Sequence, residues 1–280
     1  MPGYHLPFIA AAADGLFADH GLDVEILDTY PGTAGVVAAS AGEIDFCLTS
    51  VKYFLTARAQ NPALAARFVG VVFCRSPIAA IVIAEAPWRE PADLADCRVG
   101  GQPGDALVQE YQAALARRGV ALSRLVPTPY AEAPSALARG EIDAIADFAD
   151  LVPRVRRQAG AAVRALRVGP ELYANGLVAG DHVSHETTGA MNGAVVSALL
   201  RQRSQPRAGL DELLRRSPGV DPAEALEGWE LATRSIFTGG GVAPMSGARW
   251  RATIAYVSST HALPAVDPES VYRPALAAAS

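Results

Sequence analysis

Short apolar runs alternate with helix-like patterns along the first 180 residues of the chain. Runs rich in Val, Ile and Leu that are bounded by turn residues predict buried strands. These runs lie at 24–27, 44–49, 68–73, 78–84, 98–100, 125–127 and 142–147. Between them, stretches such as 51–60 and 106–118 place apolar or small residues at helical spacing. Strands that alternate with helices predict an α/β fold with mostly parallel sheets.

The last third of the chain has a different pattern. Apolar residues recur at helical spacing over 190–204, 207–216, 222–235 and 246–259, and prolines punctuate this region. A buried helix is also predicted near the amino end, over 7–18. The patterns therefore predict an α/β body followed by a helical C-terminal part.

One short motif occurs twice. Ala41-Gly42-Glu43-Ile44-Asp45 recurs as Arg139-Gly140-Glu141-Ile142-Asp143, 98 residues later. In both copies a glycine can end the preceding Ala-rich helix in a left-handed conformation, and the isoleucine begins the next buried strand. Two copies in matching contexts predict two similar lobes.

Composition narrows the class of protein. The 280 residues are 50% hydrophobic and 19% charged, with a net charge of −5, which suits one large domain or two lobes. Lys and Arg are scattered, which argues against a nucleic-acid partner. No apolar stretch reaches ~18 residues, so no transmembrane segment is expected. Three separate cysteines, Cys47, Cys74 and Cys97, cannot form a complete disulfide framework.

Three segments near the start resemble a known superfamily. They are Tyr4-His5-Leu6-Pro7-Phe8, then Ala13-Asp14-Gly15-Leu16-Phe17, then His20-Gly21-Leu22-Asp23-Val24-Glu25. The chain resembles the sulfonate-, taurine- and nitrate-type substrate-binding proteins and the thiamine-pyrimidine synthase family, over roughly residues 3–180. The resemblance implies a two-lobed type II periplasmic-binding-protein fold. Lobe 1 would hold 1–78 plus 178–280 and lobe 2 would hold 79–177, with hinges near 78–84 and 176–180.

The start of the chain departs from this superfamily. Its members usually carry a strand before the Tyr-His turn, whereas this sequence opens at the turn. Either the true start lies upstream, or this member has lost the strand. The opening residues also lack the basic segment of a signal peptide. The chain as written is therefore expected in the cytoplasm, and in the periplasm or at the cell surface if the true start lies upstream.

The resemblance places a ligand in a cleft at the ends of the strands, as in open α/β sheets generally. Hydroxyls, aromatic faces, a glycine-rich helix start and a carboxylate pair are the groups there that could bind a small polar molecule. The predicted ligand-binding residues are Tyr4, His5, Thr33, Thr49, Ser50, Tyr53, Gln102, Gly104, Asp147 and Phe148. Structural roles stay open for several of these segments: Thr33 and Asp105 could cap helices, and one member of the Asp147/Asp150 pair could cap while the other is solvated.

Catalytic and metal sites are not predicted. The lysine and histidine of the synthase family align with Thr49 and Tyr53, and Lys52 is expected to point elsewhere. No cysteine follows Cys97, so that family's cysteine-rich iron motif is missing, and a related desulfinase's first-loop cysteine is replaced here by Tyr4 and His5. The His182-x-x-His185 spacing is not a zinc signature. No cofactor is expected.

These observations favour a solute-binding protein for an ABC importer. Its partners would be a small-molecule ligand (a sulfonate, a taurine-like compound, nitrate or a thiamine-pyrimidine precursor) and the transporter permease. The acidic pair and the aromatic residues favour an amine-bearing or heteroaromatic ligand. The alternative is a cytosolic enzyme on the same scaffold, synthase-like or desulfinase-like, and a cytosolic sensor is a third possibility.

Overall fold

The computed structural model describes residues 3–121, 124–239 and 241–273. The strands in these residues are β1 (Phe46–Ser50), β2 (Ala66–Phe73), β3 (Ile78–Ile83), β4 (Arg98–Gly101), β5 (Arg124–Pro127), β6 (Ala144–Phe148), β7 (Val163–Arg167), β8 (Asn175–Gly180), β9 (Phe237–Thr238) and β10 (Gly241–Val242). The helices are α1 (Leu6–Ala13), α2 (Leu16–Asp19), α3 (Ala34–Ala41), α4 (Val51–Gln60), α5 (Ala106–Ala116), α6 (Ala133–Ala138), α7 (Val152–Ala159), α8 (His185–Ser204), α9 (Leu210–Arg216), α10 (Pro222–Ile236) and α11 (Gly247–Thr260).

Most of the predicted elements are present, with two differences near the amino end. The helix predicted over 7–18 is divided into α1 and α2, because Gly15 adopts a left-handed conformation with φ of 74°. The strand predicted over 24–27 is wrong: residues 22–31 carry no regular secondary structure. The α/β body and the helical C-terminal part are confirmed.

The strands form two main sheets. One has the order β1-β8-β2 and the other β5-β4-β6-β3-β7, while β9 and β10 make a small hairpin. In each main sheet a single strand is reversed: β8 is antiparallel to β1 and β2, and β3 is antiparallel to β6 and β7. The remaining strands of each sheet point the same way, so the expected α/β class with mostly parallel strand direction is confirmed.

The chain crosses between the two sheets twice. It leaves the three-stranded sheet after β2, through residues 74–77, and returns after β7, through residues 168–174. The two crossings touch each other: the Ser76 N–H donates to the Pro170 carbonyl at 3.1 Å, and Arg75 pairs with Glu171 at 2.6 Å. These crossings lie just before β3 and β8, the two stretches named as hinges from the sequence. The lobe division at 78/79 and 177/178 stays a prediction.

The repeated glycine motif has the predicted local geometry. Gly42 and Gly140 both have positive φ, 77° and 70°, and they follow α3 and α6. Both helices are therefore ended by a left-handed residue before the next strand of their sheet.

The helical C-terminal part packs mainly against the three-stranded sheet and its helices. Trp250 of α11 is fully buried, tilts against Phe68 of β2 and stacks on Tyr272 with ring centroids 5.5 Å apart. The α8 helix packs along α1, and α10 contacts both Gly3–His5 and Ala149–Leu151. In the described part of the chain, no helix is long and apolar enough to cross a membrane.

Candidate functional site

A cavity of about 600 Å³ lies between the two sheets. Its lining includes Thr49 and Ser50 at the end of β1, Gly101 at the end of β4 and Phe148 at the end of β6. Asn175, the first residue of β8, lies at the same edge because β8 runs in the opposite direction. The cavity therefore occupies the position at which open α/β sheets bind ligands, outside the carboxyl ends of the strands.

Seven of the ten predicted ligand-binding residues line this cavity: Tyr4, Thr49, Ser50, Tyr53, Gln102, Asp147 and Phe148. His5 instead lines a second cavity, inside the lobe that holds the three-stranded sheet. Thr33 and Gly104 line neither of these two cavities, although their neighbours Gly32 and Asp105 line the first. The role of each residue in binding stays a prediction.

The two helix starts at the cavity are occupied by the chain's own side chains. The Ser50 hydroxyl accepts a hydrogen bond from the Tyr53 N–H at 3.2 Å, at the start of α4. The Asp105 carboxylate accepts from the Leu107 N–H at 2.7 Å, at the start of α5. By contrast, Thr33 precedes α3 without a side-chain cap. A carboxylate at the start of α5 already takes the place that an anionic ligand would use there.

Asp147 is a buried carboxylate with well-defined partners. It is 2% exposed; one oxygen accepts from the Tyr130 hydroxyl at 2.8 Å and the other from the Phe148 N–H at 2.8 Å. Burial raises the pKa of Asp147 to about 6, against the lowering effect of these two hydrogen bonds and of nearby Arg154. At neutral pH the cavity wall therefore holds an oriented negative charge.

Asp150, three residues later, is less well satisfied. It is 5% exposed, and its Oδ1 has no hydrogen-bond partner. Burial, together with the negative charge of Asp147, raises its pKa to about 6, while Arg167 acts to lower it. The structural alternative for this pair, one capping carboxylate and one solvated carboxylate, is wrong, because both are buried and neither caps α7. A buried carboxylate oxygen without a donor is a group that a ligand could satisfy.

Aromatic side chains form much of the remaining surface. Among the described residues four aromatic side chains are more than a third exposed, and all four line this cavity: Tyr30, Tyr53, Tyr130 and Phe148. Tyr4 is held edge-on between His5 and Phe73, with ring centroids 4.3 and 5.2 Å away. Its pKa is raised to about 12 by burial and by Asp150, so it keeps its hydroxyl proton. Such a wall suits a flat ligand.

Two cationic side chains also face the cavity. Lys52 lines it, with its Nζ 4.6 Å from the centroid of the Tyr53 ring, so the expectation that Lys52 points elsewhere is wrong. Arg154 of α7 lies 5.3 Å from the centroid of the Tyr130 ring. Sequence reasoning missed Tyr130 and Arg154. The available signal for Tyr130 was its position directly after the predicted strand at 125–127, as for the other cavity loops.

Cys47 is the cysteine that lines the cavity. Burial raises its pKa to about 12, so the thiol stays protonated at neutral pH and is a weak nucleophile. No group of three His, Cys, Asp or Glu side chains within the described ranges could hold a metal ion.

Comparisons with known proteins place this geometry in a family. The model of the family described as "NMT1/THI5 like" matches residues 3–201. The periplasmic aliphatic sulphonate-binding protein of Escherichia coli superposes with a TM-score of 0.70 at 18% identity, over 96% of this chain and 89% of that chain. The alkanesulfonate-binding protein of Xanthomonas axonopodis pv. citri, bound to MOPS, gives 0.64 at 18% identity, over 94% and 92%.

A desulfurization enzyme shares the same fold. A mutant of that enzyme in complex with biphenyl-2-sulfinic acid superposes with a TM-score of 0.61 at 14% identity, over 96% of this chain and 93% of that chain. A search of curated proteins gives no significant match. At these identities the structural likenesses establish the two-lobed periplasmic-binding-protein fold.

Proposed function

The chain belongs to the NMT1/THI5-like family, and from that premise we propose that it is a solute-binding protein that encloses one small polar organic molecule between its lobes. The observation that carries the proposal is the cavity of about 600 Å³ at the strand ends, to which both sheets contribute polar and aromatic side chains. Cavities of ~300–1,000 Å³ with a few oriented polar groups are typical of small-molecule sites. Capture of the ligand would proceed by closure of the lobes.

The charges favour an amine-bearing or heteroaromatic ligand within the classes that the resemblance implies. Asp147 and Asp150 offer buried carboxylates, and Asp105 already occupies the start of α5. The exposed aromatic walls suit a flat ring. Lys52 and Arg154 are the counter-argument, since an alkanesulfonate or taurine could pair with them. The test below is therefore designed to separate a cationic from an anionic ligand.

Asp147→Asn keeps the shape of the side chain and removes its charge. A charge-assisted hydrogen bond from an amine contributes about 1.5–3 kcal/mol, so an aminopyrimidine should bind roughly 10–150-fold more weakly to the variant. Calorimetric titration with an aminopyrimidine, taurine and an alkanesulfonate measures this, and Asp211→Asn, at an exposed position on α9, is the matched control. Equal aminopyrimidine binding by both proteins would exclude Asp147 from the site. Tighter binding of the sulfonates by Asp147→Asn would instead identify an anion site.

An enzyme on this scaffold is the second candidate, favoured by the family description and by the desulfurization enzyme among the structural neighbours. The residues argue against it. Thr49 and Tyr53 stand where the synthase lysine and histidine align, and the Cys47 thiol is protonated. We expect no pyrimidine product when the purified protein is given histidine and pyridoxal phosphate, because no Schiff-base lysine is available at that position. Product detected by mass spectrometry would overturn the binding-protein proposal.

A permease partner and a periplasmic location belong to the same proposal, whereas the enzyme alternative goes with the cytoplasm. Fractionation of cells that express the gene with its native upstream region separates the two. Recovery with the periplasmic fraction supports the importer role, and recovery only with the cytosol contradicts it.

A further inference from the structure

The second cavity has the shape of a missing strand. It measures about 860 Å³ and lies in the lobe that holds the three-stranded sheet. One wall is the extended segment 22–30, and the opposite wall includes Phe46–Leu48 of β1. Between these walls it is lined by apolar side chains of α1 and α8: Phe8, Ile9, Met191 and Val195. We name this cavity the strand slot.

The β1 wall is an open sheet edge. Among the described residues, β8 is the only strand hydrogen-bonded to β1, so the other edge of β1 faces the slot. An unpaired edge presents a row of N–H and C=O groups that can pair with another strand. Buried backbone groups without partners are costly, so this edge is suited to an additional strand.

The opposite wall has the residue pattern of a strand but no strand partner. Leu22, Val24 and Ile26 are half-buried, whereas Asp23 and Glu25 between them are exposed. This alternation is the pattern that predicts a strand over 24–27. The segment joins no sheet in the structure. A strand placed in the slot would lie between this segment and β1 and could pair with both.

The direction of the chain shows where such a strand would end. Segment 22–30 and β1 both run toward the cleft, where Tyr30 and Ser50 line the first cavity, and each is followed by a helix. The Gly3–His5 turn lies at the same edge and is followed by α1. Tyr4 lines both cavities and His5 lines the slot. A strand that ran through the slot parallel to β1 would end directly at this turn.

We propose that the strand slot holds a parallel β-strand joined to the amino side of Gly3. The strand would complete a five-stranded sheet in the order of segment 22–30, the added strand, β1, β8 and β2. Because both of its faces would be buried, it would be a short run of about five residues rich in Val, Ile and Leu. The added strand would hold the turn that carries Tyr4, and so would stabilise one wall of the ligand cavity.

The test compares three proteins: the 280-residue chain, the chain extended before Met1 by a six-residue Val/Ile-rich strand, and the chain extended by six residues in which prolines alternate with valine. Proline cannot donate the ladder hydrogen bonds, so the third protein controls for added length. Hydrogen exchange measured by mass spectrometry on peptides that cover 22–30 and 43–50 reports pairing of both walls.

We expect exchange in both peptides to slow at least about tenfold in the Val/Ile-rich protein alone. Equal exchange in all three proteins overturns the proposal. If instead the 280-residue chain already shows protection that rises with its concentration, and sedimentation shows a dimer, a second copy fills the slot and the proposal is also overturned. Should the extended chain aggregate, the same strand added as a peptide keeps the comparison, with slowed exchange or its absence read in the same way.

Discussion

At the scale of single residues, the carboxyl pair at the cavity determines the most. Asp147 is held by Tyr130 and by its own loop, whereas Asp150 keeps an oxygen without a partner. Burial raises the pKa of both to about 6. The two carboxyls therefore lower the stability of the empty protein at neutral pH, and such a cost is expected where a site is arranged for a ligand.

The first prediction concerns pH. A carboxyl with a pKa of about 6 in the folded chain and 3.8 as its ordinary value binds its proton more tightly when folded. Its contribution to the free energy of unfolding is thus fully present below about pH 4 and is lost as pH rises through 6. Asp150→Asn should make the fall in unfolding free energy between pH 4 and pH 7 smaller by roughly 1–3 kcal/mol. Urea unfolding at several pH values measures it.

Asp211→Asn on α9 is the control for that experiment, because this exposed carboxyl should leave the pH profile unchanged. If Asp150→Asn and the unmodified protein show parallel profiles between pH 4 and pH 7, Asp150 is not a carboxyl that loses its proton unwillingly, and the account of the pair is wrong.

At the scale of elements, β8 is the strand that ties lobe 1 together. It pairs with β1 on one side and β2 on the other, and its first residue lines the ligand cavity. Gly176 is required there by close packing: a Cβ would meet the Gly70 carbonyl oxygen at 2.4 Å and the Phe68 ring at 2.9 Å. A backbone oxygen inside a paired sheet cannot move away without breaking the register.

Gly176→Ala is therefore expected to lower the free energy of unfolding by roughly 1–3 kcal/mol, as overpacked cores do. The matched substitution is Gly189→Ala in α8, where a Cβ would meet nothing within 4 Å. That change should instead raise stability by about 0.5–1 kcal/mol, because alanine favours a helix interior over glycine. Thermal and urea unfolding of the two variants measure the contrast, and similar effects of equal sign would contradict it.

At the scale of the whole molecule, one contact joins the lobes far from the crossings. His261, just after α11, is enclosed by α5 of the other lobe: its Nδ1 lies 3.1 Å from the Gln109 Oε1 and its Nε2 lies 3.2 Å from a Glu110 carboxylate oxygen. Tyr256 adds a hydrogen bond from its hydroxyl to the Glu110 carbonyl at 3.3 Å. Since α11 is fixed to lobe 1 by Trp250, these contacts hold the lobes close together.

His261→Ala should shift the lobes toward an open arrangement. We expect a larger radius of gyration by small-angle X-ray scattering and ligand dissociation faster by about tenfold, the effect of about 1.4 kcal/mol. His185→Ala, an exposed histidine at the start of α8, is the matched control. Unchanged scattering and unchanged dissociation in His261→Ala would mean that these contacts do not hold the lobes together.

The sequence by itself determined the class of fold and the edge at which a ligand site would lie. Apolar runs of strand length, glycines such as Gly42 and Gly140 that end helices, and the order of strands and helices are local signals. A strand followed by a helix brings its last residues to a common edge of the sheet, so Thr49 and Asp147 could be assigned to the cavity without coordinates.

Only the tertiary structure decided which of those residues meet and which stay apart. The pattern at 24–27 specifies a strand face, but a strand also needs a neighbour to pair with, and none lies beside it in the described part of the chain. Lys52 faces the cavity and Thr33 does not, because helix orientation is set by packing. The Asp147–Tyr130 hydrogen bond and the His261–Glu110 contact join residues 17 and 151 positions apart. Side chains that meet only after the sheets and lobes have assembled leave no periodic signal in the sequence.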